Sequence, residues 1–172
     1  DPNATLPPPL TPARALDAAL AASGFAVLGP AGEEGLEGLL GTPLQALEAW
    51  RPFWERLAPD AYLLDGGRYR QRRHACFVIE GGALAQAPHR AHWQPVEYNA
   101  LHGGMHRLFV PIEPATVEQP AWSRLLRALG AVCSSVKGAQ TWYVEAHQFR
   151  IDTADGIGRP TPEGAHRDGV DF

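Results

Sequence analysis

The sequence predicts a fold of the α+β class, formed by one domain. The chain has 172 residues, of which 45% are hydrophobic, and this is enough to bury one sizeable core. Helical patterns come first along the chain and the strongest strand patterns follow, a segregation that is typical of α+β proteins. We expect the proline-rich residues 1–10 to be disordered and residues 11–172 to form the domain.

The first helix is predicted from its start and stop signals. Thr11 is a suitable N-cap, Pro12 suits the first helical position, and Gly24 follows an alanine-rich run. These signals predict a helix over about residues 12–23. The β-forming residues at 25–28 then predict a short strand.

Two more helices are predicted further along the chain. One begins after Thr42 and carries an apolar stripe, and Pro52 is expected to kink or divide it. The other begins at Pro120, carries a clear apolar stripe and ends before Gly138. Between the first helix and Thr42, the glycines of residues 33–41 predict a loop or a single helical turn.

Two strands are predicted from β-forming residues. The first covers about residues 68–79 and places Arg70 and Arg72 on one face, with Arg73 on the other. The second covers residues 141–151, and both of its faces mix polar and apolar groups, which suits the wall of a wet cavity. One face of the second strand carries alternate residues: Tyr143, Glu145, His147, Phe149 and Ile151.

Composition argues against several classes of protein. The formal net charge is −4 and the basic residues are scattered, so the sequence lacks the basic patch of a nucleic-acid-binding protein. No apolar run approaches the roughly 20 residues of a membrane span, and no secretory signal is evident. Cys76 and Cys133 fit neither a disulfide framework nor a paired-thiol metal site. We therefore expect a soluble protein in a reducing cytoplasm.

The most informative segment is PTPEGAHRDGVDF, at residues 160–172. It contains His166 and Asp168, whose side chains project to the same side of an extended backbone, within reach of one ion. An imidazole and a carboxylate are two of the three ligands in the two-histidine, one-carboxylate triad of non-haem iron. The pair therefore predicts part of an iron(II) centre.

The residues around this pair give it a specific context. The segment PTPEGAHRDGVDF resembles the signature of a bacterial family of 2-oxoglutarate- and Fe(II)-dependent dioxygenases that includes the L-isoleucine hydroxylases. The upstream segments YRQRRHACF, EYNALHGGMHR and VEAHQFRI resemble the same family, in the same order. The resemblance covers much of the chain from about residue 60 to residue 172, and it is loose over the first 55 residues.

The resemblance implies a double-stranded β-helix, a jelly-roll barrel of the cupin type, flanked by helices. It also implies that His166 and Asp168 are iron ligands and that Fe(II) and 2-oxoglutarate are the cofactors. The family's third ligand is a histidine further along, followed by a basic residue that pairs with 2-oxoglutarate. Such a barrel needs about eight strands. Since only about four can be identified, we expect the C-terminal strands and those two residues to be missing from this chain.

Other residues are candidates for the pocket, each with an alternative. His147 either binds substrate or is a hydrogen-bonded core histidine. The resemblance extends over Gln148 and Arg150, which either contact 2-oxoglutarate or the substrate, or anchor the loop at residues 153–165. Arg70 and Arg72 either hold a substrate carboxylate through bidentate hydrogen bonds or protect a solvated strand edge by their charge.

A long connection is predicted over residues 88–114, and it contains histidines at spacings that bind metals on helices. The surrounding glycines and prolines argue against a helix there. The four histidines of this connection are therefore interpreted as exposed loop residues: His89, His92, His102 and His106.

These observations predict a 2-oxoglutarate- and Fe(II)-dependent dioxygenase that hydroxylates a small molecule, and family analogy favours a free L-amino acid. We expect the small molecule and dioxygen as partners, with neither nucleic acid nor a membrane, and a homodimer is left open. One alternative is a non-catalytic stress-response or binding protein that retains the barrel. Another is a cupin-like, metal-dependent isomerase or lyase that does not use 2-oxoglutarate.

Overall fold

A computed structural model describes most of the chain. The predicted iron ligands, His166 and Asp168, lie outside the described residues. The described residues are 8–64, 66–97, 103–154, 156, 158, 170 and 172. The described elements, in chain order, are a 3-10 turn at Ala13–Ala15, α1 at Leu16–Ser23, α2 at Leu36–Leu40, α3 at Gln45–Glu48, α4 at Arg51–Glu55, β1 at Arg70–Glu80, β2 at Ala83–Gln86, α5 at Pro114–Val117, α6 at Pro120–Lys137 and β3 at Trp142–Ile151.

The chain folds into two compact units. The first unit comprises the residues up to 51, together with 79–84 and 115–142. The second unit comprises residues 52–78, 85–114 and those from 143 onward. The first unit therefore holds most of the helices, and the second holds most of β1 and β3.

The core of the first unit forms around α6, which buries one face. Residues four positions apart on this helix are buried, namely Trp122, Leu126 and Gly130, as the 3.6-residue period requires. The ring of Trp50 packs edge-on against Trp122, with 5.6 Å between ring centroids. Gly130 lies so close to Ile79 that a Cβ atom there would be 2.8 Å from the Ile79 Cδ1 atom.

The helices lie where the sequence signals predicted them, but the predicted N-cap is wrong: Pro12, and not Thr11, precedes the first turn, and no side chain caps it. The helix expected over residues 12–23 is confirmed as the 3-10 turn followed by α1. Gly24 ends it in the left-handed conformation with φ 76°, and its N–H donates a hydrogen bond of 2.9 Å to the Leu20 carbonyl. The helix predicted from Pro120 is confirmed as α6. The helix predicted after Thr42 is divided into α3 and α4 just before Pro52, as expected from the missing proline N–H.

The strand predicted at residues 25–28 is wrong. These residues belong to no helix or strand, although the Val27 carbonyl accepts a hydrogen bond of 2.7 Å from the Thr11 N–H. One backbone hydrogen bond holds the segment beside the start of the domain without forming a ladder. Local β propensity therefore did not decide this conformation.

The strands predicted at residues 68–79 and 141–151 are confirmed as β1 and β3, in a three-stranded sheet of order β2-β1-β3. β1 turns into β2 through Gly81 and Gly82, which both have positive φ, as a two-residue hairpin loop demands. Asp152, just after β3, donates its N–H to the Tyr69 carbonyl, just before β1, over 2.7 Å. This contact joins the end of β3 to the start of β1, so the two strands are antiparallel.

Two irregular segments pair with the first half of β1. The Arg72 N–H donates to the Ala58 carbonyl, and the His74 N–H donates to the Val110 carbonyl, over 2.8 and 3.0 Å. These hydrogen bonds bring residues 58–60 and 110–112 beside the strand. β1 is thus interior to its sheet. Arg70 and Arg72, which lie on one face of it, are buried.

The described residues support the α+β class. Their three strands form one open sheet, so the double-stranded β-helix stays a prediction. Of the helices that are described, none is both long and apolar enough to cross a membrane. Both cysteines are free thiols, as their separation in the sequence predicted.

Candidate metal and cofactor site

Four side chains with metal-binding chemistry meet in the second unit. They are His74 of β1, His92 of the connection, and Glu145 and His147 of β3. Their ligand atoms all lie within 4.8 Å of one another, so they form a possible iron site. Three imidazoles and a carboxylate include the two-histidine, one-carboxylate combination of non-haem iron centres. We call these residues the His/Glu cluster.

The sheet explains how the cluster assembles. Side chains alternate between the faces of a strand, so Glu145 and His147 share one face of β3. His74 of the adjacent β1 lies on the same face, and its ring stacks on that of His147 with 4.7 Å between centroids. The connection delivers His92 through a bridge to Arg107, made by two backbone hydrogen bonds of 2.9 and 3.0 Å.

The Glu145 carboxylate is the centre of the cluster. Its Oε2 atom accepts a hydrogen bond of 2.5 Å from His92 Nδ1 and lies 3.7 Å from His147 Nε2. The same oxygen lies 3.9 Å from His74 Nε2, and the other carboxylate oxygen lies 3.6 Å from the Arg90 guanidinium. Three imidazoles and one guanidinium therefore face the single Glu145 carboxylate.

A buried arginine contacts the cluster from the side. The Arg72 Nη2 atom lies 2.7 Å from His147 Nδ1. Its guanidinium is stacked between two rings, 3.7 Å from the centroid of Phe109 and 4.3 Å from that of Phe149. Contact between a guanidinium and aromatic rings is favourable and helps to hold the arginine in place.

The positive charge of this region has its own counterion. Asp60 accepts a hydrogen bond of 2.7 Å from Arg70 Nε and lies 3.8 Å from Arg72 Nη1. The Asp60 side chain is fully inaccessible, and the two arginines are 6% and 5% exposed. Arg73 points to the opposite face, as predicted, and pairs with Glu113 at 3.2 Å.

Burial and neighbouring charges shift the acidity of the cluster. Polar contacts from His147, and then from His92, hold the pKa of Glu145 well below its usual value, so it is an anion. Burial lowers the pKa of His147, against the raising effect of Glu145. Burial, followed by the electrostatic effect of His147, lowers the pKa of His74 to about 3. Burial also lowers the pKa of Arg72, but only to about 9, so Arg72 is charged at neutral pH.

The low pKa of His74 predicts that acid destabilises the fold. Below about pH 6.5 the unfolded chain binds a proton that the folded chain binds only near pH 3. Stability should therefore fall with decreasing pH across this window, and His74 alone contributes a slope of up to about 1.4 kcal/mol per pH unit. Urea denaturation of chelator-treated protein between pH 7 and pH 4.5 measures that slope.

The variant His74→Gln tests this assignment. The unfolding free energy of this variant should depend less steeply on pH. The difference in slope should correspond to about one proton fewer taken up on unfolding. His106→Gln removes an exposed imidazole and controls for the substitution itself. If His74→Gln has the slope of the unmodified protein, His74 is not the buried group that resists protonation.

A pocket of about 420 Å³ opens beside the cluster. Glu145 belongs to both, and the rest of the lining is basic or apolar: Arg90, Ala91, Trp93 and His106. A cation, a large ring and a carboxylate around one small cavity can orient a small polar molecule.

The structure places the predicted pocket residues in two groups. Arg70, Arg72 and His147 lie together, with the arginines paired to Asp60 and thus not at a solvated strand edge. Strand alternation puts Gln148 and Arg150 on the other face of β3. Gln148 is 2% exposed and its amide has no hydrogen-bond partner among the described residues, while Arg150 contacts Asp152 at 3.5 Å.

Sequence reasoning missed much of the cluster. The interpretation of His92 as an exposed loop histidine is wrong. His92 is only 9% exposed, and its imidazole forms a hydrogen bond with the Glu145 carboxylate. His89 fits that interpretation in exposure, although it contacts the Phe109 carbonyl over 2.8 Å. His74 was not singled out at all. The one available signal was the shared face of Glu145 and His147, which the alternation predicted.

Comparisons with known proteins fit this site. The family model described as 2OG-Fe dioxygenase matches residues 51–172. The crystal structure of a bsmA homologue from Methylobium petroleophilum PM1 is 51% identical with a TM-score of 0.85, and the match covers 94% of this chain and 65% of that one. The structure of IDO from Bacillus thuringiensis is 12% identical with a TM-score of 0.59, covering 80% and 56%, and shows a shared fold alone. A comparison with curated proteins gave no match.

The chain therefore spans less than two thirds of the length of the bsmA homologue. The matched region includes β1, β3, the whole His/Glu cluster and the predicted ligands His166 and Asp168. The family uses Fe(II) and 2-oxoglutarate, in agreement with the cofactors expected from the sequence. Because its model matches well over half of the residues, this chain belongs to the 2OG-Fe dioxygenase family.

Proposed function

We propose that this chain is part of a dioxygenase that uses Fe(II) and 2-oxoglutarate to hydroxylate a small molecule, with a free L-amino acid as the substrate class. The observation that carries this proposal is the family match over residues 51–172, a region that contains the pair His166 and Asp168 as well as the His/Glu cluster beside a pocket. Since the chain spans 65% of its relative, the reaction of the whole protein is part of the proposal.

The proposed reaction balances in atoms and electrons. Substrate, 2-oxoglutarate and dioxygen give hydroxylated substrate, succinate and carbon dioxide. One oxygen atom enters the new hydroxyl group and the other enters the succinate carboxylate. Oxidative loss of carbon dioxide from 2-oxoglutarate supplies two electrons, and the substrate C–H bond supplies two more. The bound iron supplies the redox chemistry, while the protein binds, orients and excludes water.

We assign iron to His166 and Asp168 ahead of the cluster, for a physical reason. In the cluster, the Glu145 oxygen is already bonded to His92 at 2.5 Å, and His147 Nδ1 is occupied by Arg72. A metal ion there would have to displace a short hydrogen bond and sit beside a buried cation. The sequence pair has a carboxylate and an imidazole two residues apart and carries the family signature.

The residues beside the pocket support a small zwitterionic substrate. Arg90 is a cation able to bind a substrate carboxylate, and Glu145 is an anion able to bind an ammonium group. Trp93 offers an apolar surface for a side chain. Arg70 and Arg72, the carboxylate partners suggested by the sequence, are buried against Asp60. Arg90 also lies near a carboxylate, 3.6 Å from Glu145, but its side chain is 61% exposed and lines the pocket, so it is the more accessible cation.

The test is turnover of 2-oxoglutarate labelled at its carboxyl group. With Fe(II), dioxygen and a panel of free L-amino acids, we expect carbon dioxide release, with equal amounts of succinate and hydroxylated product for at least one amino acid. Removing iron with a chelator should stop both products. Substrate isomerisation without carbon dioxide release would favour the cupin-like alternative. Binding without any turnover would favour the non-catalytic protein, and either result would refute the proposal.

A further inference from the structure

We infer that Arg72 fixes the ring proton of His147 on Nε2, the nitrogen that faces Glu145, and thereby excludes His147 from any set of metal ligands. The cluster then offers a cation three residues, His74, His92 and Glu145, and not four. This inference concerns the chemistry of the cluster itself. It stands or falls independently of whether the protein hydroxylates a small molecule.

The contact between Arg72 and His147 is a hydrogen bond that Arg72 donates. The guanidinium has five N–H donors and no acceptor, so at 2.7 Å it must donate to His147 Nδ1. That nitrogen therefore carries a lone pair and no proton. In a neutral imidazole the single proton then lies on Nε2. Nε2 faces the Glu145 carboxylate at 3.7 Å, where a proton is favoured.

A histidine that binds a metal needs an unprotonated ring nitrogen directed at the ion. A histidine binds a metal through the nitrogen that has no proton, while its other nitrogen donates N–H to a carboxylate, a carbonyl or water. His147 has the reverse arrangement. Its Nδ1, which points away from the cluster, accepts from Arg72, and its Nε2, which points into the cluster, carries the proton. Binding a cation through Nε2 would force either loss of the second proton or withdrawal of Arg72.

Arg72 is held in place by several contacts. Its guanidinium lies between the rings of Phe109 and Phe149 and within 3.8 Å of Asp60. The side chain is 5% exposed, so water cannot readily replace His147 as its partner. Withdrawal would cost the stacking, the ion pair and the hydrogen bond together.

The first experiment needs no variant. Nuclear magnetic resonance of protein labelled with ¹⁵N-histidine reports which ring nitrogen carries the proton. The signals of His147 are identified by their loss in His147→Gln. We expect a neutral ring with the proton on Nε2. A proton on Nδ1, or on both nitrogens, would overturn the inference.

The second experiment measures zinc binding by calorimetry in the Asp168→Ala background, which disables the sequence pair. There, His147→Gln should change the zinc affinity by no more than about twofold, because His147 is not a ligand. Arg72→Met should raise the affinity, because it frees His147 Nδ1 to take the proton. Adding His147→Gln to Arg72→Met should then lower the affinity by about tenfold or more.

Arg73→Met is the matched control for Arg72→Met. It removes an arginine from the same strand, but its side chain lies on the other face and pairs with Glu113. Zinc affinity should be unchanged in this variant. A loss of zinc affinity from His147→Gln while Arg72 is present would show that His147 is a ligand after all. If Arg72→Met does not fold, the histidine spectrum of the unmodified protein still decides.

Discussion

Replacing Asp168 by alanine should abolish the iron-dependent conversion of 2-oxoglutarate to succinate. The resemblance makes Asp168 the only carboxylate among the iron ligands, and a carboxylate contributes both an oxygen donor and a negative charge to the centre. Mutating a residue that only hydrogen-bonds to a metal ligand typically lowers affinity or activity by about 10–100-fold. Loss of a ligand itself should therefore lower activity by at least about 100-fold. Succinate formation and iron content measure the effect.

Two further variants make this result decisive. Asp171→Ala removes a carboxylate three residues further on, which an extended chain directs to the other side, so this variant should retain activity. Glu145→Gln removes the carboxylate of the His/Glu cluster. If Asp168 is the ligand, Glu145→Gln should keep its iron, even if substrate binding weakens. Iron retained by Asp168→Ala but lost from Glu145→Gln would move the centre to the cluster.

Local signals in the sequence were enough to predict the helices. Pro12 and Gly24 bound the first helical segment through φ preferences that operate within a few residues, although Pro12, and not Thr11, is the N-cap residue. Pro52 divides the following helix because it cannot donate an N–H, whatever lies around it. The residues at 25–28 had no such signal, and their contact with the chain near Thr11 decided their conformation.

The cluster was only half predictable, because pairing between strands is not encoded locally. Alternation placed Glu145 and His147 on one face of β3 from the sequence alone. That His74 stacks on His147 depends on the register between β1 and β3, which the strand patterns leave open. His92 reaches Glu145 through a bridge to Arg107, inside a connection for which no period could be read.

For the arginines of β1, the sequence predicted the positive charge but not the counterion. The sequence indicated a local positive field and the opposite faces of Arg72 and Arg73, and both are present. It did not indicate Asp60, which comes ten residues before Arg70 in a segment without a clear pattern. A counterion supplied by a neighbouring segment turned two candidate substrate ligands into members of a buried ion group.

Replacing Asp60 by alanine should destabilise the fold by about 3–5 kcal/mol. The substitution would leave Arg70 and Arg72 buried without the anion that they share at 2.7 and 3.8 Å. An uncompensated buried charge costs far more than the loss of an exposed pair, since water cannot solvate it. Asp60 Oδ1 also accepts a hydrogen bond of 2.8 Å from the Tyr62 N–H, and that bond would be lost as well. Urea denaturation at neutral pH measures the change.

The exposed pair of Glu48 and Arg51 supplies the control for Asp60. These side chains are 64% and 72% exposed with 2.8 Å between their charged atoms, so Glu48→Ala should cost no more than about 1 kcal/mol. A comparably small loss from Asp60→Ala would mean that Arg70 and Arg72 find water or another anion in the folded protein. In that case Arg72 would lack the anchor that holds it against His147, and the reason for excluding His147 from metal binding would weaken with it.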